Sequence, residues 1–215
     1  MNKVFNYLIK SILAGIMIGI GGTVFLSLEN KVLGAIFFSI GLFMILTNGM
    51  SLYTGKVGYI LENDLKYLIE VFVTLFGNFI GTFFTGYLLK YTRIYPVICE
   101  KAQSMCTIKL DDSPVSIWIL SIFCGLLMYL AVNGYRVSKD TLGKYTSVFL
   151  AVTVFILCGF EHSIANMFYF SVAGMWSVKT LDYTLVMVLG NAIGGILIPL
   201  FEKQKLYLGD GKSSV

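Results

Sequence analysis

The sequence predicts an all-α integral membrane protein of six transmembrane helices, in two inverted three-helix repeats whose second and fifth spans are broken. Three observations predict it. Charged residues make up 13% of the chain and hydrophobic ones 57%, with a mean hydropathy of +0.81, whereas a soluble domain is about a quarter charged. The apolar residues gather into runs near the length of about 20 that crosses a bilayer core as a helix. A short motif in the third run returns in the sixth.

The first run, about 8–28, follows Lys3 and Lys10 and continues through Gly19-Ile20-Gly21-Gly22-Thr23. A secretory signal would carry a cleavage site there. The glycines offer a small-residue packing face instead, so this run is expected to stay as span one. Span two covers 31–55 and is interrupted by Thr47-Asn48-Gly49-Met50-Ser51-Leu52-Tyr53-Thr54-Gly55. Span three covers 65–90. An outer loop carrying Cys99 and Cys106 is expected next. Span four, 114–136, holds no charge between Val115 and Tyr135. Span five, 145–175, is interrupted at Gly159–Asn166, and span six covers 182–201. Six spans use nearly all of the 215 residues, so the chain reads as one transmembrane domain, with repeat one at about 8–90 and repeat two at about 114–201.

The net charge is +4, and its placement suggests an orientation. With the N-terminus in the cytoplasm, Lys3, Lys10, Lys56, Lys66, Arg136, Lys139, Lys144, Lys203, Lys205 and Lys212 lie inside. Lys31, Lys90, Arg93, Lys101, Lys109 and Lys179 lie outside. The inward excess follows the positive-inside rule and predicts a multi-pass protein of a cell membrane, inner or plasma, with both termini cytoplasmic. The cations are scattered and flank spans, which argues against a nucleic-acid surface. The four cysteines form no metal pattern. Cys124 and Cys158 sit in apolar runs, where a thiol behaves as a small hydrophobe. Cys99 and Cys106 are either two free thiols or a disulfide.

The repeat is written in Gly77-Asn78-Phe79-Ile80-Gly81 and Gly190-Asn191-Ala192-Ile193-Gly194, both Gly-Asn-x-Ile-Gly. Upstream of each lies an interrupted span. Gly49 precedes Gly77 by 28 residues and Gly159 precedes Gly190 by 31. Three spans per unit is an odd number, so the second copy must enter the membrane from the opposite side. Transporters built this way place their pathway at the interrupted helices, because backbone freed at that depth must line a cavity or lie buried in protein.

His162 is the only histidine, and with Glu161 it falls inside an apolar run. Ionisable groups are costly within a membrane and tend to mark a pathway. Adjacent side chains diverge, so one is expected to face the pathway and the other to brace protein. His162 is read as the pathway residue. Glu161 is read as a cap on amides of the broken segment, where the helix dipole favours a carboxylate. Asn166, Asn78 and Asn191 are expected to support the breaks. An enzyme is disfavoured. One histidine and scattered cysteines make no usual zinc site, and no serine nucleophile motif or phosphate-binding loop accompanies His162. No cofactor is expected. The competing class is a non-transporting membrane scaffold or binding protein whose breaks serve only packing.

The string Cys158-Gly159-Phe160-Glu161-His162-Ser163-Ile164-Ala165-Asn166-Met167-Phe168 closely resembles the span-five signature of the formate/nitrite transporter family. The Gly-Asn-x-Ile-Gly-Gly run near the C-terminus is similar to that family as well. Ser51-Leu52-Tyr53-Thr54-Gly55 is placed like its broken second span. The resemblance covers almost the whole chain. It implies an aquaporin-like protomer, a homopentamer with one pore per protomer, and small monovalent weak-acid anions (formate, nitrite, hydrosulfide, acetate or lactate) as substrates. Protons are a further partner only if His162 or nearby water donates one. His162 then corresponds to the central pore histidine and Thr54 to the threonine that hydrogen-bonds it. Leu42 and Phe38 correspond to the cytoplasmic constriction and Phe155 to the outer one. Leu52 and Tyr53 fall in the loop of the broken span, and Lys144 is the vestibule cation that draws anions in.

The chain departs from the family pattern at Asn48-Gly49-Met50-Ser51, where a cysteine-glycine and an acidic residue are more familiar, and at Cys124-Gly125. Its short termini suggest that a regulatory N-terminal helix is missing. Its glycine-rich first span and Tyr-Thr-Gly loop resemble the hydrosulfide-channel branch. The expected mechanism follows from desolvation. A bare anion is costly at an apolar ring, and Thr54 and His162 offset that cost, His162 either as a proton donor or as a hydrogen-bond donor only.

Overall fold

The computed structural model describes residues 3–207. Lys212 and the side chains of Lys3 and Lys205 lie outside the described residues. The described chain is helical throughout, with no strand. Four helices are long and apolar enough to cross a membrane: α1 (Lys3–Ser27), α5 (Lys66–Leu89), α7 (Pro114–Val137) and α10 (Val178–Tyr207). They pack as two pairs, α1 along α5 and α7 along α10. Each pair needs small residues at the crossing. A Cβ on Gly77 would stand 2.5 Å from Ser11 Cβ, and one on Gly190 would stand 2.5 Å from Ser121 Cβ, so only glycine lets the backbones close to this distance.

Shorter apolar helices fill the space between the pairs. α2 (Lys31–Phe38) and α3 (Ile40–Thr47) meet at Ser39, and after a gap come α4 (Tyr53–Lys56) and a 3-10 turn, Val57–Glu62. α8 (Thr141–Leu157) and α9 (Ser163–Ala173) are likewise separated by a non-helical stretch. Starts and stops follow local chemistry. Asn30 accepts the Val32 and Leu33 amides at the head of α2. Ser113 followed by Pro114 opens α7, and Asp140 accepts the Gly143 amide at the head of α8. Each cap satisfies N–H groups that have no partner within the helix. α9 is buried along its whole length and ends at Gly174, φ +67°.

Two expectations need correction. The stretch read as an outer loop contains a 17-residue helix, α6 (Tyr95–Asp111). Its buried side, Ile98, Ala102 and Cys106, recurs every four residues, the period of one helical face. This helix also answers the disulfide question. Cys99 and Cys106 are free. Seven residues along a helix separate them by about 10 Å, beyond the Cα reach of a disulfide. Burial pushes the Cys106 thiol up to about 12, so it stays a neutral core side chain. The breaks are also shorter than expected: the helical ladder stops after Thr47 and Leu157 and resumes at Tyr53 and Ser163, which leaves Asn166 inside α9.

Candidate functional site

The two breaks are built from the same bonds. Gly49 and Gly159 sit at φ +61° and +71°, the left-handed region that suits glycine. Each turns the chain so that the next amide reaches back: Met50 N–H donates to Ile45 O and Phe160 N–H to Phe155 O, both at 2.9 Å. This is a Schellman-type helix end. One residue further, Ser51 N–H donates to Lys10 O and Glu161 N–H to Leu120 O, both at 3.3 Å. An asparagine from the neighbouring long helix then closes each break. Asn78 Oδ1 accepts the Tyr53 amide at 2.8 Å, and its Nδ2 donates to Ser11 O at 2.7 Å and Ser51 O at 2.9 Å. Asn191 Oδ1 accepts the Ser163 amide, and its Nδ2 donates to Ser121 O and Glu161 O, all at 2.8 Å. Both asparagines are fully buried, and each satisfies three backbone groups that water cannot reach.

The last residue of the second break is His162. It is the N-cap of α9, and its Nδ1 accepts the Ala165 amide at 3.0 Å. An amide only donates, so Nδ1 carries the lone pair and the neutral ring holds its proton on Nε2. That nitrogen lies 3.0 Å from Thr54 Oγ1. The Thr54 oxygen is then the acceptor, and its own hydroxyl proton is left to donate elsewhere. Phe155 stacks on the imidazole, with centroids 5.5 Å apart and planes at 20°. Phe38 meets Phe155 edge-on at 6.0 Å.

A cavity of about 450 Å³ leads to this point, bounded by α6 and the ends of α1 and α8 and reaching Phe155 and His162. Its walls carry Lys31, Lys101 and Lys109 as well as Glu29, Asp112 and Glu161. Lys101 Nζ donates to Leu28 O and to Phe25 O, the latter at 3.4 Å. Lys31 Nζ donates to Leu157 O at 3.2 Å. Both ammonium groups thus sit at helix C-terminal carbonyls, where the dipole favours a cation. Among the described residues, two buried side-chain atoms, Ser163 Oγ and Asn166 Oδ1, have no hydrogen-bond partner.

The Glu161 carboxylate does not cap amides, contrary to expectation. It takes Lys109 Nζ at 2.8 and 2.6 Å and Asn166 Nδ2 at 2.7 Å. The amides it was expected to hold go to His162 Nδ1 and Asn191 Oδ1. The physical reason is α6, which brings an ammonium to the break: an unpaired carboxylate at this depth is costly, and a charge-assisted bond outweighs a neutral one. The Lys109 and Glu161 side chains are 14% and 4% exposed. Lys109 is the residue that sequence reasoning missed. It falls on the α6 face of Ile98, Ala102 and Cys106, so the signal was a lysine in step with an apolar helical face.

Of the other expected residues, Leu42, Leu52 and Tyr53 are buried in the same core, and Tyr53 Oη donates to Val188 O at 3.0 Å. Phe38, fully buried like Leu42, meets Phe155 edge-on, so the ring expected on the cytoplasmic side touches the one expected on the outer side. Lys144 lies in the first turn of α8, eleven residues before Phe155. That is about 16 Å along the helix, so Lys144 is not part of the central cluster.

Residues 1–201 match the family profile described as Formate/nitrite transporter. The chain belongs to the formate/nitrite transporter family. This is a family of transporters and channels rather than enzymes, and the apolar helices make the chain a multi-pass membrane protein. The formate-nitrite transporter of Plasmodium falciparum (isolate 3D7) is 29% identical over 231 residues, covering 90% of this chain and 75% of that protein. The nitrite transporter NirC of Salmonella typhimurium is 23% identical, covering 91% of this chain and 81% of its own length. Among solved structures, a pentameric formate channel with formate bound superposes with a TM-score of 0.80 at 22% identity, covering 95% of this chain and 98% of that one. An FNT family ion channel gives 0.84 at 21% identity over 95% and 91%. At those identities the likeness is one of fold.

Proposed function

We propose that the chain is a channel for small monovalent weak-acid anions such as formate, nitrite or hydrosulfide, and that His162 and Thr54 form its central polar station. The observation that carries this reading is the buried contact of 3.0 Å between Thr54 Oγ1 and His162 Nε2, held between two helix breaks at the end of a cavity. An anion at this depth loses its hydration, and donors already in place offset part of that loss. Here the relay runs from Nε2–H to the Thr54 oxygen, which orients the Thr54 proton toward the solute. The Phe38–Phe155 cluster and Leu42 exclude bulk water on either side, and Lys144 raises the local anion concentration. Protons move with the anion where the neutral acid is the species that passes the apolar rings.

The duplicated asparagine bonds support six crossings in two inverted, aquaporin-like repeats. The charge distribution supports cytoplasmic termini in a cell membrane. The pentameric formate channel of the same fold supports a homopentamer with one pore per protomer. Stopped-flow measurement of formate, nitrite and hydrosulfide entry into proteoliposomes at two pH values tests the function. Flux above empty vesicles, ranked by anion, is expected. No flux of any of the three from folded protein would leave a non-transporting scaffold as the reading.

A further inference from the structure

We propose that Lys56 is a positioning residue: its ammonium, gripped by Glu70 between the rings of Tyr7 and Tyr67, holds the one-turn helix α4 so that Thr54 stays against His162. The inference rests on the anion-channel reading above. α4 has four residues, and its N-cap, Leu52, offers no side-chain hydrogen bond. A single turn without tertiary support does not persist. Its first residue is tied through the Tyr53 amide to Asn78. Its last residue is tied through Lys56.

Three residues from two elements converge on Lys56. Lys56 Nζ donates to Glu70 Oε2 of α5 at 3.3 Å. The ammonium lies 4.6 Å from the ring centroid of Tyr7 on α1 and 5.1 Å from that of Tyr67 on α5. Tyr67 Oη also donates to the Lys56 carbonyl at 3.0 Å, so one tyrosine holds both the head and the main chain of the lysine. An exposed ion pair is worth little. Here the side chains are 19% and 22% exposed, and two aromatic faces add cation–π attraction where water is thinned.

The position that matches Lys56 after the second break is held differently. Asn166, five residues after Glu161 as Lys56 is five after Ser51, bonds to Glu161 Oε2 and His162 O within its own segment. It sits in an 11-residue helix buried on all sides. α4 is shorter, and only its first half, Tyr53 and Thr54, is buried; the Lys56 contact restrains the other half. Thr54 lies two residues, about half a turn, from it. A shift of about 1 Å in a positioned group can cost up to about a hundredfold in rate, so loosening α4 acts on the Thr54–His162 contact.

The test is formate flux in proteoliposomes for wild type, Lys56→Met, Lys56→Arg, Thr54→Val and the double variant Lys56→Met/Thr54→Val. Lys56→Met should lower flux by about tenfold, and Lys56→Arg, which keeps the charge and the ring contacts, by no more than about twofold. In the Thr54→Val background Lys56→Met should add less than about twofold, because residues acting through one group are non-additive. Glu70→Gln should reproduce Lys56→Met if that variant does not fold. Wild-type flux in a folded Lys56→Met protein, or an equal loss in both backgrounds, overturns the proposal. Amide exchange of residues 53–56 gives a readout independent of flux. It should quicken in Lys56→Met and not in Lys56→Arg, and unchanged exchange also overturns the proposal. Should wild type carry no anion at all, the channel reading falls, and exchange alone decides whether Lys56 holds α4.

Discussion

The two helix breaks share their backbone bonds and differ in their side chains. Gly49 and Gly159, the reaching amides of Met50 and Phe160, and the grips of Asn78 and Asn191 correspond atom by atom. Where the first break has Ser51-Leu52-Tyr53, the second has Glu161-His162-Ser163. Leu52 leaves α4 without a side-chain cap, whereas His162 caps α9. Ser51 is a small neutral residue, whereas Glu161 carries a charge that recruits Lys109 from a separate helix. The comparison separates scaffold from chemistry. Main-chain geometry at both breaks is set by glycine and asparagine, and the residues between them are free to specialise.

The ion pair offers the strongest way to break this comparison. Lys109→Met leaves the Glu161 carboxylate uncompensated and should destabilise the protein by about 3–5 kcal/mol. Ser51→Ala at the matching position should cost less than about 1 kcal/mol. Denaturant unfolding in detergent checks both, and adding Glu161→Gln to Lys109→Met should recover most of the loss. Equal costs at Ser51 and Lys109 would mean that the charge is not what distinguishes the second break.

The asparagines sharpen the similarity. Asn78→Leu and Asn191→Leu each strand one amide and two carbonyls, so each should cost about 2–4 kcal/mol, and the two values should agree within about 1 kcal/mol. A large gap between the same unfolding midpoints would show that one break relies on other support. Small in stability, too, is His162→Leu, which writes the first break's residue into the second. It removes one N-cap, at about 1 kcal/mol, yet it should reduce anion flux in proteoliposomes to near the empty-vesicle level. Retained flux would reduce His162 to a helix cap.

Much of this site was legible in the sequence because its signals are local. Two glycine turns, two Gly-Asn-x-Ile-Gly strings and a histidine inside an apolar run locate the breaks and the residues that gather there. Thr54 and His162, 108 residues apart, were paired only through the family resemblance, since nothing local joins them. Lys109 was illegible for a different reason. Its helix is short and amphipathic among long apolar ones, so the stretch read as a loop, and a lysine in a loop reads as solvated. Helical phase places it on the buried face of α6, and only packing shows that this face meets Glu161. The contact between Phe38 and Phe155 was hidden similarly, because sequence order along a span does not say which aromatic ring a residue meets from another helix.

The cap made by His162 also has a consequence in time. Its Nδ1 is occupied by the Ala165 amide, so a second proton reaches the ring only after the first turn of α9 has opened or the imidazole has swung away. Opening a helix end takes nanoseconds to microseconds. Exchange through Nε2 needs no such motion. A solute passing faster than the turn opens therefore meets a ring with one working nitrogen, and a doubly protonated ring forms only at the pace of the main chain.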